Sequence, residues 1–201
     1  ARTSSIKPEY SFQTFTEQSP NMIFINKGGR IVYANKRCSE IMGYSREEFY
    51  APDFDFMSLI APESVDLIRS NFKRHMSGKD IEPYEYVLLN KKGEKIEAII
   101  TTKLIDYENE KAILGFITDI TERKRAEREL TVQKAYLEQL FEASTEAIAF
   151  IDGQDRVERV NSQFSAIFGY SPEEVIGRSM DDTVIPASRR EEAKKVKADI
   201  R

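Results

Sequence analysis

Two side chains able to ligate a metal, attack an electrophile or move a proton at neutral pH occur once each in this chain, His75 and Cys38. A histidine can serve as general base or metal ligand, and an ionised thiol as nucleophile or zinc ligand. Neither has the company such chemistry needs. No Ser, His and acid set assembles around one distal histidine. A lone cysteine can neither close an internal disulfide nor complete a Cys-based zinc site, and burial as a small apolar side chain is its ordinary reading. No glycine loop that could cradle a phosphate is present, since Gly28-Gly29 reads as a turn. The 34 acidic residues scatter over predicted helix surfaces and turns. Met76-Ser77-Gly78, which follows His75, lacks the acidic and proline context of a phosphoacceptor histidine. The residues therefore predict no enzyme in this chain, and any output activity is expected outside it.

Composition narrows the partners. Of the 201 residues, 40% are hydrophobic and 32% charged, with a net charge of −4. Packed cores are expected, and no basic field points to nucleic acid. No apolar run approaches the roughly 20 residues that cross a bilayer. The expected location is cytoplasmic and reducing, without direct membrane contact by this stretch, although a parent protein could be membrane-attached. Ala1 in place of Met suggests that the chain is a piece of such a parent.

The elements that would position any site are written twice. Residues 15–49 and 141–175 align without a gap at a shift of 126 residues (141 less 15), with about a third of positions identical. Solenoid repeats recur at roughly 20 to 50 residues, so this spacing means two copies of a compact domain. In the first copy, Met22 to Asn26 and Arg30 to Ala34 read as strands joined through Lys27-Gly28-Gly29. Asn35 and Asn161 each stand where a side-chain oxygen can cap a short helix, and Gly43 and Gly169 supply left-handed stops. Ser45-Arg46-Glu47-Glu48 and Ser171-Pro172-Glu173-Glu174 are capping boxes that start another helix.

From Pro62 a longer helix is predicted, with Val65, Ile68, Phe72 and Met76 on its buried face. Three strands are predicted over 84–90, 95–105 and 112–120. Two strands, several helices and three strands make an α+β unit, a five-stranded antiparallel sheet with helices on one face. Val87-Leu88-Leu89 and Ala98-Ile99-Ile100 do not alternate, so the outer face also needs cover. The candidates are the segment around Tyr10 and Phe12, the following helix or a partner subunit. Residues 122–142 lack Gly and Pro and predict a helix of roughly 30 Å, with Thr121 as its N-cap. Ala126, Leu130, Leu137 and Leu140 lie near heptad spacing, although Gln133 occupies a core position. Either a helix pair in a dimer or a helix folded back on the sheet fits that stripe.

These residues resemble the PAS family of sensory modules. The pieces that carry the resemblance are Ile31-Val32-Tyr33-Ala34-Asn35, Met42-Gly43-Tyr44-Ser45-Arg46-Glu47-Glu48, Lys92-Gly93-Glu94 and Gly115-Phe116-Ile117-Thr118-Asp119-Ile120-Thr121-Glu122-Arg123-Lys124. The last is similar to the family's closing motif, where the final strand runs into the output helix. The resemblance implies a cupped sheet enclosing a pocket whose state alters the exit helix. It divides the chain into a tail or flanking helix over 1–14, a complete module over 15–120, a linker helix over 121–140, and a second module over 141–201. That second copy lacks counterparts of the last three strands and is expected to be unstable alone.

The implied function is a sensory module of a signalling protein, such as a sensor histidine kinase or diguanylate cyclase, that binds a small ligand or partner. A ligand-free dimerisation module is the alternative, and a haem or flavin sensor a second one. Haem is disfavoured because His75 falls at the edge of the helix face, as a surface residue, whereas the family's haem histidines resemble positions earlier in this helix. Flavin adduct chemistry is disfavoured because Cys38 sits too early and Met180 stands at the matching place in the second copy. The cofactor is left unknown. Pocket candidates are Cys38, Ile41, Met42, Phe56, Leu59, Ile68, Phe72, Tyr86, Leu88, Ile100 and Phe116, with hydrogen bonds from Tyr86 and Thr102 and a cation at Arg69. Asp119 and Thr121 are expected to couple the pocket to the helix, and a homodimer through the N-terminal segment, sheet face or linker helix is the expected assembly.

Overall fold

The computed structural model describes residues 14–185 and 187–189. It divides into two units, 1–126 and 127–201. In the first, β1 (Met22–Lys27) and β2 (Arg30–Ala34) form a hairpin. Its two turn residues, Gly28 and Gly29, have φ of 60° and 89°, a backbone open to glycine at little cost. Three helices follow: α1 (Lys36–Met42), α2 (Arg46–Tyr50) and, after two short 3-10 turns, α3 (Val65–Met76). Then come β3 (Tyr84–Leu89), β4 (Lys95–Tyr107) and β5 (Glu110–Asp119). The five strands make one antiparallel sheet in the order β2-β1-β5-β4-β3.

The predicted local signals are realised. Gly43 ends α1 with φ of 76° and donates to the Ser39 carbonyl at 2.9 Å. In the capping box of α2, Ser45 N–H reaches Glu48 Oε2 at 2.9 Å and Glu48 N–H reaches Ser45 Oγ at 3.2 Å. Asn35 does more than cap. Its side chain, fully buried, accepts from the N–H of Ile23 at 3.0 Å and of Cys38 at 3.2 Å, and donates to the carbonyls of Thr16 at 2.8 Å and Asn21 at 3.0 Å. One amide thereby ties β1, α1 and the two turns before β1.

Two expectations about packing need correction. The buried face of α3 runs through Ser64, Ile68, Asn71 and His75, while Met76 is 49% exposed. At about 100° per residue Met76 lies about 80° round from Ile68; three polar side chains on the buried stripe moved its apolar signature. On the sheet, burial alternates along β4, so Ile99 and Val87 are only partly covered on the outer face. Ile23 and Ile25 on that face of β1 are nonetheless buried. Tyr10 and Phe12, expected as cover, lie outside the described residues.

Helix α4 (Thr121–Ala143) follows β5 after a single residue. Thr121 is its first residue and not its cap. Ile120 supplies the first helical acceptor, taking the Lys124 N–H at 2.9 Å, and Asp119 Oδ1 takes the Thr121 N–H at 2.8 Å.

In the second unit β6 (Ala149–Ile151) and β7 (Val157–Val160) pair antiparallel, followed by α5 (Ser162–Phe168), α6 (Pro172–Val175) and α7 (Met180–Val184). Asn161 repeats the Asn35 network: it accepts from Ile148 and Phe164 N–H at 2.9 and 3.0 Å and donates to the Phe141 and Glu146 carbonyls at 3.0 and 2.9 Å. Gly169 repeats the stop at φ 76°. Val157, Val160, Phe164 and Val175 form the core. Among the described residues this sheet has two strands.

Candidate functional site

The first unit holds a partly open cavity of about 100 Å³ between the sheet and its helices. Strand register decides what faces it. Met22 pairs with Ile117 and Ile117 with Ile100, while Phe24 pairs with Gly115 and Gly115 with Thr102. Paired residues share a face, so two adjacent rows, Met22-Ile117-Ile100 and Phe24-Gly115-Thr102, form its floor. Helix α3 contributes Ile68, Asn71, Phe72 and His75, and the loop before it Phe56, Leu59 and Ile60.

Ten predicted pocket residues line the cavity: Cys38, Met42, Phe56, Leu59, Ile68, Phe72, Tyr86, Leu88, Ile100 and Thr102. Three do not. Ile41 is half-buried and packs against the core outside the cavity. Arg69 is exposed, because it lies on α3 one step beyond Ile68. Phe116 is half-buried on the outer face, and its neighbour Ile117 takes the inner position. The sequence reading also missed Met22, Phe24, Ile31, Ala34, Phe49, Ile60, Ile113 and four polar residues, Asn26, Asn71, His75 and Tyr84. The apolar run Met22 to Ile25 of β1 marked the first two as core candidates without saying which face they take; only the true face of α3 reveals Asn71 and His75.

The largest correction is His75. It is not at the surface but 3% exposed, with Nε2 hydrogen-bonded to Thr102 Oγ1. Burial lowers its pKa from the usual 6.5, reinforced by the Lys103 ammonium and opposed by the Asp80 carboxylate. Asn71 interacts with the Tyr84 hydroxyl, whose pKa burial raises. Tyr86, deeply buried, is raised well above 10 by the same desolvation. The Cys38 thiol is pushed up to about 12 by burial and donates to the Ile23 carbonyl at 3.4 Å. A protonated thiol of that kind is inert.

The neutral state of His75 has a measurable consequence. The folded protein binds this proton less readily than the unfolded chain, so stability is unaffected above about pH 6.5 and declines as the pH falls from there towards the lowered folded value. The urea midpoint of the wild type should drop more than that of His75→Gln between about pH 7 and about pH 5. Parallel profiles would contradict this.

At the far end of β4 the exit is tied to the main chain. Asp119, the last residue of β5, pairs with Ala98, which would leave the Glu97 N–H and C=O beyond it without a ladder partner. The Ile120 N–H takes the Glu97 carbonyl at 2.8 Å, and Thr121 Oγ1 accepts the Glu97 N–H at 3.0 Å. Glu85 on β3 pairs with Lys124 at 2.7 Å and Arg123 at 3.6 Å. Asp119 and Thr121 thus stand two and four residues beyond Ile117, which faces the cavity and pairs with Ile100, and Thr121 is joined to β4 through Glu97. In the second unit a more open hollow of about 350 Å³ is bordered by Ala147, Phe164, Phe168 and Met180.

No metal-binding cluster of three or more His, Cys, Asp or Glu occurs among the described residues, and none of their helices is long and apolar enough to cross a membrane. A family model described as PAS domain matches residues 20–122, and one described as PAS fold matches 135–201. Sensor protein TdiS of Thauera aromatica is 30% identical over 145 residues, 69% of this chain and 25% of that protein. Sporulation kinase A of Bacillus subtilis is 21% identical over 180 residues, 90% of this chain and 30% of that protein. The chain thus spans less than a third of either relative. A crystal structure of a PAS domain from Colwellia psychrerythraea aligns at 22% identity and a TM-score of 0.49, covering 57% of this chain and 98% of that one. PAS domains are sensory modules without catalysis of their own, found in signalling proteins such as histidine kinases. With a matching model over half its length and a second over most of the rest, this chain belongs to the PAS family.

Proposed function

We propose that the chain is the sensory part of a cytoplasmic signalling protein. It comprises a PAS module over 15–120 that binds a small ligand, a signalling helix over 121–140, and a second PAS module from 141 onward. The observation that carries this reading is the continuity of β4: Ile100 and Thr102 face the cavity, and Glu97, three residues from Ile100, holds the start of α4. At about 3.3 Å per residue the two points lie roughly 10 Å apart on one strand. A ligand that favours one strand position would favour one helix position by no more than its differential affinity.

The test fills the cavity from the opposite wall. Ile68→Phe should change hydrogen exchange of the Ile120 and Lys124 amides by about threefold or more. Thr121→Val, which removes the hydroxyl bridge to Glu97, should speed exchange at Glu97 about fivefold and abolish the response to Ile68→Phe. Unaltered exchange at the junction in the filled variant would defeat the transmission reading.

A second reading, dimerisation, is favoured by the exposed edge of α4. Leu130, Leu137 and Leu140 are 53%, 64% and 51% exposed at near-heptad spacing. We propose a second copy of this helix as the partner. Leu137→Glu should convert a dimer to a monomer in light scattering, and a wild type that is monomeric at high concentration would end this reading.

A further inference from the structure

The cavity's lining specifies more than that something binds. None of its side chains is ionised: it contains no Asp, Glu, Lys or Arg, and His75 is the one titratable base. Arg69, the cation that could have met a carboxylate, is exposed. An anion placed here would give up much of its hydration with no counter-charge, and so would a cation. The other polar side chains of the lining, Asn26, Asn71, Tyr84, Tyr86 and Thr102, are uncharged, and the apolar ones include the rings of Phe24, Phe56 and Phe72.

Two of the polar side chains pair between the sheet and α3: Thr102, 6% exposed, and His75, 3% exposed, meet through Oγ1 and Nε2, each with hydrogen-bonding capacity beyond that one contact. Asn71, 7% exposed, lies one turn before His75 on the same face of α3. A dry apolar cavity of about 150 Å³ admits benzene, so the volume of about 100 Å³ here takes up about a single ring with modest adjustment of the walls.

Resting on the ligand-binding reading above, we infer that the first module takes a small uncharged molecule, of about one ring, with a single hydroxyl or carbonyl seated against His75 and Thr102. Its ring faces the phenylalanines, where aromatic contacts add to burial. Its oxygen joins the existing pair and leaves no buried polar group unmet.

Phenol, toluene and benzoate separate these features, since they share a ring and differ in the polar group. Titration of the whole chain, followed by calorimetry and by NMR of the His75 ring and Thr102 methyl, should show saturable phenol binding that shifts both signals. Toluene should bind about fivefold or more weakly, and benzoate should not bind. Thr102→Val, nearly the same shape, should weaken phenol about fivefold while toluene stays within about twofold, which also reports that the variant is folded. Benzoate binding as well as phenol, or phenol indifferent to Thr102→Val, would overturn this assignment and leave ligand sensing standing. Failure of phenol and toluene alike would remove both.

Discussion

Replacing Asn35 by Ala is expected to cost the first module about 4 kcal/mol or more in urea unfolding. The side chain satisfies four backbone groups, the N–H of Ile23 and Cys38 and the carbonyls of Thr16 and Asn21. Each buried group left unpaired costs about 1–3 kcal/mol, reduced where water can enter. Loss of an ordinary helix cap costs only about 1 kcal/mol, so the size of the effect distinguishes a network from a cap. Asn35→Asp is the sharper variant, because it keeps the acceptor oxygens and turns the amide donor into an anion facing two carbonyls. It should destabilise comparably and recover partly on acidification, when the carboxyl can donate. Asn161 carries the same four bonds in the second unit, and its Ala variant should melt that unit. A loss of 1 kcal/mol or less in Asn35→Ala would show that the four bonds do not act together.

The second large effect is expected at Gly115. A methyl group there would stand 2.2 to 3.0 Å from three atoms of the Phe24 ring, closer than side chains tolerate. Gly115 lies between Phe24 and Thr102 in one row of the sheet, so the ring rests on the backbone that the glycine leaves bare. In Gly115→Ala it must leave that place, and the neighbouring space is the cavity. Overpacking of this kind costs about 1–3 kcal/mol, and affinity for a cavity ligand should fall at least tenfold, about 1.4 kcal/mol. Adding Phe24→Leu should restore room and return most of both losses, a coupling that a double-mutant cycle measures. Simple additivity would mean that the ring and the glycine do not share the space.

Much of this architecture was legible because its signals are local. Asn35, Gly43 and the Ser45 to Glu48 box declare helix ends by residue type, and their recurrence 126 residues later declares the domain. What Asn35 bonds beyond its own helix was not legible, since Thr16 and Asn21 come near only when the chain folds back. The cavity residues were read from apolarity, which works where a wall is greasy throughout. It failed on α3, whose buried stripe places Asn71 and His75 beside Ile68, so that Met76 seemed the better inward residue. It failed again on β5, where Phe116 and Ile117 are both apolar and only pairing with β1 and β4 reveals which one points in. Thr121 looked like a cap because it stands at a helix start; its hydroxyl serves the neighbouring strand, a tertiary contact with no local signature.

Beside the solvent-exposed pairs of Glu85 with Lys124 and Arg123, the hydrogen bonds that close the junction at the end of the first sheet address the main chain of Glu97, not its side chain. Chimaeras that splice an unrelated sensor's final strands onto α4 should therefore keep the join as long as the spliced residue at that point is not proline, which has no N–H to give. Evolution could exchange input modules at this seam without having to invent a matching pair of residues each time.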